Sequence, residues 1–417
     1  MKTRAAVLGA MLLLAGPLRA QEPPPVDPSD LINTLLGGLL GFKDITGPEL
    51  QTEVAEVGGI PFRSDVPLRY LTRAELSRYL KEVLDDEYPA AQARADQKTL
   101  VAFGLLAPGT DLRAVRGRLL EENVAGFYDE RPGKKQLYAV SEERRLTPTN
   151  QLILSHELRH ALQDQYASVH DALPASVGDF DDRRLAYLSL LEGDATLVME
   201  RFLVRRLPGM EDTELSGLSM PVPAVPGAPK VLADQLVLPY VVGRDFARAV
   251  WQRGGWEAVK AAWSRPPVST EQVLHPEKFF AGEGPRPADV TYQPAAGTAV
   301  NEGVLGELLT RTLLGEGSDE AAAGWAGDQF RLWDVGGKSL LVWRALWDTP
   351  ADLAEFRQAL LARLAAGRTP AGERGAFRVF AAPPWRFAVG DAAGGVVLVS
   401  SDDERAFEAA LAALARP

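Results

Sequence analysis

The 417-residue chain predicts an α+β fold whose two halves differ in pattern. Up to about residue 297, apolar residues recur mostly with helical spacing, and one pair of short strand-like segments interrupts them. From residue 298 onward, apolar segments joined by glycine turns predict strands of an antiparallel sheet. We therefore expect a mainly helical region with a small β-hairpin, followed by a C-terminal α+β module with an antiparallel sheet.

The N-terminus has the pattern of a secretory signal peptide. Lys2 and Arg4 precede an apolar run at residues 5–15, which is too short to span a bilayer. A retained N-terminal anchor is the alternative. We expect a signal peptide at 1–20 and a protein exported to the periplasm or the extracellular space. A Pro-rich linker at 21–30, a helical region at 31–123, a second region at 124–297 and the C-terminal module at 298–417 follow.

The composition limits the classes of partner. The net charge is −11, and removal of a signal peptide that carries only basic residues makes it more negative. Such a balance argues against nucleic acid and against anionic membrane surfaces as partners. We expect no stable membrane insertion after signal removal, and the oligomeric state is left open. The chain has no cysteine, so stability must come from packing and bound ions rather than disulfides.

Helices are predicted before the strand pair. Thr72 with Glu75 forms a capping box that begins a helix ending near residue 87, and helices at 90–106 and 112–123 follow. The segments 124–129 and 135–140 are predicted as strands. Such an edge strand could pair with an extended peptide, or the hairpin could be purely structural.

A helix predicted at 148–168 carries the most informative motif. Thr147 is a suitable N-cap and Pro148 a suitable first residue. His156 and His160 lie four residues apart on one helix face, so both imidazoles can bind one Zn²⁺. Glu157, next to the first histidine, can take a proton from a water molecule at the ion. The alternative is a pair of surface histidines on an ordinary helix.

A second helix, predicted at 182–207, is apolar on almost every side yet contains two carboxylates. Burial of Glu192 is costly unless a cation pairs with it, which makes it the candidate third metal ligand; a buried salt bridge is the alternative. Gly193 would let this helix and the motif helix approach closely. Asp194 could accept a hydrogen bond from a ligand histidine or pair with an arginine. Asp164, one turn beyond His160, is expected to support the site or line its cleft.

Hydrolysis of a carbonyl compound builds negative charge on the carbonyl oxygen, and a hydrogen-bond donor would stabilise this oxyanion. The sequence identifies that donor less clearly than the metal ligands. His275 is the histidine available for this role, although a lone histidine before proline is more often structural. Tyr166 and Tyr292 are further candidates.

Other elements complete the prediction. Helices are expected at 239–253, 256–263, 302–314 and 350–366, and strands at 328–334, 338–347, 376–381, 385–389 and 395–400. Ser401 with Glu404 is expected to cap a final helix.

The segment His156-Glu157-Leu158-Arg159-His160 together with Glu192-Gly193-Asp194-Ala195 resembles the gluzincin group of zinc metallopeptidases. The resemblance implies a zincin-like region, with His156, His160 and Glu192 as zinc ligands and Glu157 as general base. Residues 161–165 and 269–278 also resemble a set of poorly characterised exported bacterial proteins. Arg159 departs from that set, which usually has a small polar residue there, and we expect it to alter the charge of the cleft.

The sequence thus predicts an exported zinc-dependent metallopeptidase that acts on a peptide or protein substrate, with Zn²⁺ as cofactor. The alternatives are a zinc-stabilised binding or scaffold protein of the envelope without catalytic activity, and a zinc hydrolase of a non-peptide bond.

Overall fold

The fold is known from a computed structural model, which describes residues 42–169, 181–206, 225, 227–392 and 394–415. The expected signal peptide and linker lie outside these ranges. The predicted α+β class is confirmed: helices pack with a small three-stranded sheet and with a larger antiparallel sheet in the C-terminal part.

The first half of the described chain is mainly helical, and most predicted bounds agree with it. Its elements, in order, are α1 (Gly47–Gly58), β1 (Leu68–Leu71), α2 (Arg73–Glu87), α3 (Ala90–Phe103), α4 (Leu112–Asn123), β2 (Gly126–Asp129), β3 (Gln136–Val140), α5 (Pro148–Ala167), α6 (Asp182–Val204), α7 (Lys230–Ser264), α8 (Thr270–Leu274) and α9 (Pro276–Ala281).

The small sheet has the order β1-β3-β2, with β1 parallel and β2 antiparallel to β3. The sequence predicted β2 and β3 but not β1. Only four residues form β1 and they alternate too briefly for a recognisable pattern, so its pairing with β3 decides its conformation. Strand β2 lies at an edge of the sheet and packs on α5.

Helices α6 and α7 cross at two glycines, and this crossing corrects two predictions. A Cβ atom on Gly193 would lie 2.0 Å from the carbonyl of Gly243, so the close approach is to α7 rather than to α5. The two helices predicted at 239–253 and 256–263 are segments of α7, which already begins at Lys230 and has non-helical backbone at Gly254 and Gly255. Pro239 lies inside that helix instead of starting it.

The C-terminal part contains a seven-stranded antiparallel sheet of order β4-β5-β6-β10-β9-β8-β7. Its elements are β4 (Thr298–Gly303), α10 (Gly306–Leu314), α11 (Asp319–Ala322), β5 (Trp325–Val335), β6 (Lys338–Trp347), α12 (Pro350–Ala365), β7 (Thr369–Arg374), β8 (Phe377–Ala382), β9 (Trp385–Ala392), β10 (Gly395–Ser401) and α13 (Glu404–Leu414).

Three predictions in this part were wrong in detail. The two outermost strands, β4 and β7, were missed because edge strands are partly exposed and lack an apolar run. Helix α10 therefore begins at Gly306, after β4, rather than at residue 302. The side chain of Asp403, not that of Ser401, caps the final helix.

The large sheet shares a hydrophobic core with the first helices. Phe103 of α3 packs edge-to-face on Phe330 and Trp343, and Phe356 of α12 contacts Trp343 from the same side. Helix α13 packs on the opposite face through Phe407 and Leu411. In the part of the chain that the structure describes, no helix has the length and apolarity of a membrane span.

The close approach of α6 and α7 at Gly193 and Gly243 predicts that one added methyl group lowers the stability of the fold. Gly243→Ala places Cβ 1.9 Å from the carbonyl oxygen of Ser189, so α6 and α7 must separate. We expect the free energy of unfolding to fall by about 1–3 kcal/mol or more, because overpacking displaces backbone. The measurement is chemical denaturation, with Gly367→Ala as control, since a Cβ there meets nothing within 4 Å. Equal stability of the two variants would contradict the crossing.

Candidate metal centre

Helix α5 carries the histidine motif through the middle of the molecule. Thr147 caps it with a capping box to Asn150, and Pro148 is its first residue, as predicted. Every residue from Asn150 to Asp164 is buried, so the helix packs on all sides against α1, α6, α7 and the small sheet. The motif is therefore not on a solvent-exposed helix face, which removes the alternative of surface histidines.

The structure brings the three predicted ligands together. The Nε2 atom of His156 lies 3.0 Å from Oε2 of Glu192 and 2.9 Å from Nε2 of His160, and the remaining pair is 3.4 Å apart. All three residues are buried, with His160 the most exposed at 6 %. Within the described residues, this is the group whose ligand atoms are close enough to hold one metal ion.

The chemistry of the cluster fits a cation. A carboxylate oxygen and two imidazole nitrogens face one another, so an imidazole N–H proton or a cation has to lie between them. Nδ1 of His156 and Oε1 of Glu192 are buried without a partner among the described residues. Two imidazoles and a carboxylate are a ligand set of catalytic Zn²⁺. Tetrahedral zinc bonds of about 2.1 Å separate the ligand atoms by roughly 3.4 Å. The longest of the three observed distances has this value, and the other two are shorter.

The charges of the trio follow from burial and mutual contact. Burial opposes ionisation of Glu192, but the two imidazoles outweigh it and lower the pKa of its carboxyl to about 2. Burial also opposes a charged His160, yet the Glu192 carboxylate raises the pKa of that imidazole to about 9. Glu192 is thus held as a carboxylate, whereas a metal ion at this site would have to displace the proton of His160.

Glu157 lies beside the cluster and is held by the edge strand. The backbone N–H of Tyr128 in β2 donates to Oε2 of Glu157 at 3.0 Å, while Oε1 has no partner in the described chain. Burial raises the pKa of the Glu157 carboxyl well above its usual range, although the charge of His160 opposes this shift. One oxygen is thus positioned and the other remains available for a proton.

A buried ion pair is linked to His160 through the side chain of Gln163. Arg159 donates two hydrogen bonds to Asp194, at 2.8 and 2.9 Å, and the pair is fully buried. Gln163 joins the pair to the cluster, because its amide donates to Asp194 while its Oε1 faces Nδ1 of His160 at 2.9 Å. Asp194 therefore pairs with an arginine and reaches the ligand histidine only through Gln163. The expectation that Arg159 alters the charge of the cleft is wrong, since Trp256 and Trp263 enclose its guanidinium.

Asp164 lies on the other side of the cluster, toward β2. Its Oδ2 accepts hydrogen bonds from the hydroxyl of Tyr128 at 2.9 Å and from Lys135 at 2.5 Å. It contacts neither ligand histidine directly in the described structure, and it lines the space next to His160. Sequence reasoning missed two neighbours there, Glu130 and Tyr187. The sequence carried no signal for either residue, because Glu130 lies one position beyond β2 and Tyr187 lies within the apolar helix α6.

The structure does not bring the proposed oxyanion donors into the cluster. Nε2 of His275 lies 3.1 Å from Oε1 of Glu307, and this pair belongs to the contact between α8 and α10. The hydroxyl of Tyr166 donates to the carbonyl of Pro61, and Tyr292 packs on Trp333 under the large sheet. A catalytic role for His275 therefore has no support in its described contacts.

The one family match among the comparisons with known proteins lies in the C-terminal part of the chain. Residues 293–413 match a family model described as a domain of unknown function, DUF8575. That range covers the large sheet and contains none of the residues of the metal cluster. No curated protein and no solved structure matches the chain. The argument for the site therefore rests on its geometry.

The buried ion pair yields a stability prediction. Asp194→Asn leaves the guanidinium of Arg159 buried without its counter-charge, so we expect a loss of about 3–5 kcal/mol in the free energy of unfolding. Asp391→Asn is the matched control, because Asp391 pairs with Arg357 at the surface and such pairs contribute at most about 1 kcal/mol. Equal losses in denaturant titrations would show that the buried pair carries no special role.

Proposed function

We propose that the chain is a zinc-dependent hydrolase that cleaves peptide bonds, with His156, His160 and Glu192 as the zinc ligands. The observation that carries the proposal is the carboxyl group of Glu157. It lies beside the three converging ligand atoms, with one oxygen held by a backbone N–H and the other unpartnered. A bound Zn²⁺ supplies Lewis acidity, which makes water nucleophilic at neutral pH and polarises a carbonyl.

Three residues of the chain transfer the proton and orient the groups around the metal. Glu157 accepts the proton of the attacking water and delivers it to the leaving amine, and a buried carboxyl with a raised pKa is suited to both steps. The N–H of Tyr128 keeps the carboxyl group oriented toward the cluster. Gln163 accepts from the Nδ1–H of His160, which leaves the Nε2 lone pair free for the metal.

The number of ligands favours catalysis over a scaffold role. Structural zinc sites usually have four protein ligands, whereas catalytic sites have three. Three side chains form the cluster within the described residues. The near-complete burial of these side chains is the observation that favours the alternative, a zinc-stabilised binding protein. Export to the periplasm or the extracellular space remains part of the proposal on the basis of residues 1–20.

The general base gives the central prediction. Glu157→Gln removes the proton acceptor but no ligand, so we expect unchanged zinc content and a fall in kcat of about 10²–10⁴-fold or more. Zinc is measured by plasma mass spectrometry, and cleavage is measured with a broad peptide library. His160→Ala should lose the metal, and Glu355→Gln, at an exposed position of α12, should change neither quantity.

Three outcomes speak against the peptidase. Full activity of Glu157→Gln removes the assigned base. A chain that unfolds on chelation and cleaves no peptide is the zinc-stabilised scaffold. Cleavage of ester or amide substrates but of no peptide identifies a hydrolase of a non-peptide bond.

The support of His160 can be tested separately. Gln163→Leu removes the acceptor for Nδ1–H, and loss of such an orienting partner typically weakens metal affinity by about 10–100-fold. Competition with a chromogenic chelator measures the affinity, and Gln358→Leu on an exposed face is the control. Unchanged affinity in both variants would show that the orientation of His160 does not depend on Gln163.

A further inference from the structure

Helices α2, α3 and α4 form a cleft of about 960 Å³ outside the candidate metal centre. Its floor is apolar, because Leu80, Leu84 and Ala93 line the cleft and are buried. Gly117 of α4 lies against Leu84, where an added Cβ atom would be 3.3 Å from Cδ1 of the leucine. The volume lies within the range of small-molecule sites, about 300–1,000 Å³.

The side chains around this floor carry an excess of positive charge. Five of the lining residues are basic: Arg78, Lys81, Arg94, Arg113 and Arg118. Two lining residues, Asp111 and Glu121, are acidic. The whole chain contains 45 basic and 56 acidic residues, so the cleft reverses the charge balance of the protein.

The two acidic side chains of the cleft are bound to uncharged donors. Asp111 caps α4 and accepts the backbone N–H of Ala114 at 3.0 Å. Glu121 accepts the hydroxyl of Ser77 in α2. Neither carboxylate forms an ion pair within the described residues, so the basic side chains of the cleft are not neutralised from inside it.

Each of the three helices contributes one cation without a partner. Arg113 pairs with Asp85 at 2.5 Å, outside the lining of the cleft. In contrast, Lys81 of α2, Arg94 of α3 and Arg118 of α4 are exposed and form neither an ion pair nor a side-chain hydrogen bond with a described residue. Three free cations from three helices thus surround one concave apolar surface.

The cleft and the candidate metal centre lie on different sides of α2. Tyr79 of this helix donates its hydroxyl hydrogen to Asp129 at the end of β2, and Arg131 pairs with Asp86 at 3.0 Å. Lys81 follows Tyr79 by two positions and therefore points about 200° away around the helix axis. A ligand in the cleft would thus be separated from the histidines by a helix.

We propose that the cleft binds a small organic anion, in which a phosphate or carboxylate group is joined to an apolar body. Lys81, Arg94 and Arg118 bind the anionic group, since ammonium and guanidinium groups form charge-assisted hydrogen bonds with both oxyanions. Leu80 and Leu84 contact the apolar body and remove its surface from water. The inference goes beyond the proposed hydrolase function and does not depend on it.

Calorimetric titration of the full-length chain with matched probes tests the proposal. The probes are 1-naphthyl phosphate, 1-naphthoate, uncharged 1-naphthol and inorganic phosphate. We expect a naphthyl anion to bind with one-to-one stoichiometry, at least about tenfold tighter than naphthol and than inorganic phosphate, since each of these lacks one half of the recognised group. The tighter of the two naphthyl anions identifies the preferred oxyanion. Added salt should weaken the binding, because the cations are exposed.

Variants locate the binding in the cleft. Arg118→Gln removes one free cation, and Ala114→Phe fills the cleft without a change of charge. We expect each to weaken binding of the naphthyl anion by about three- to tenfold or more, with the melting temperature unchanged, because both positions are exposed. Arg378→Gln removes an equal charge from an exposed position of β8 and should leave the affinity unchanged.

Two results would overturn the proposal. Equal affinity of the wild-type chain, Arg118→Gln and Ala114→Phe would show that the anion binds elsewhere, for example at a zinc ion. Binding of inorganic phosphate as tightly as either naphthyl anion would show that the apolar floor takes no part in recognition.

Discussion

Three buried side-chain atoms meet so closely in the described structure that an imidazole N–H proton or a metal ion has to lie between them. His156, His160 and Glu192 come from two helices, and their ligand atoms are separated by 2.9 to 3.4 Å in the interior. Water cannot screen their repulsion there, so either a shared proton or a metal ion must hold them. A shared proton would make the trio a weak, pH-sensitive element in the middle of the fold. A divalent ion stabilises the same arrangement far more strongly.

Charge compensation around this trio is asymmetric. On the side of α6 and α7, Asp194 is paired with Arg159, and Gln163 and Trp263 complete its hydrogen bonds. On the side of β2, no lysine or arginine of the described residues pairs with Glu130, and Asp164 pairs with the partly exposed Lys135. The first side is rigid and satisfied, as expected for residues that orient a ligand histidine. The second side has fewer such pairs and adjoins Glu157, whose carboxyl group accepts the N–H of Tyr128 in β2.

The sequence predicted the residues whose role depends on local spacing or on cost of burial. His156, Glu157 and His160 follow from the helical repeat, and Glu192 follows from a carboxylate within an apolar helix. The sequence could not predict contacts between residues that lie far apart in the chain and meet only in the packed structure. Gly193 faces Gly243, fifty positions further along the chain, and Gln163 bonds His160 only because α6 fixes the amide through Leu191 and Asp194. The missed strands β1, β4 and β7 are likewise short or at edges, where pairing outweighs propensity.

The large sheet is connected to the candidate metal cluster through α6, and no residue of the sheet lies in the cluster itself. Asp328 in β5 accepts the N–H groups of Leu305 and Gly306 and so fixes the start of α10. The N–H of Leu308 then donates to Thr270, whose hydroxyl donates to Asp182 at the first turn of α6. Glu192 lies ten residues further along the same helix, about 15 Å along its axis. These buried bonds fix the first turn of α6, while the packing of the same helix against α5 and α7 positions Glu192 further along it.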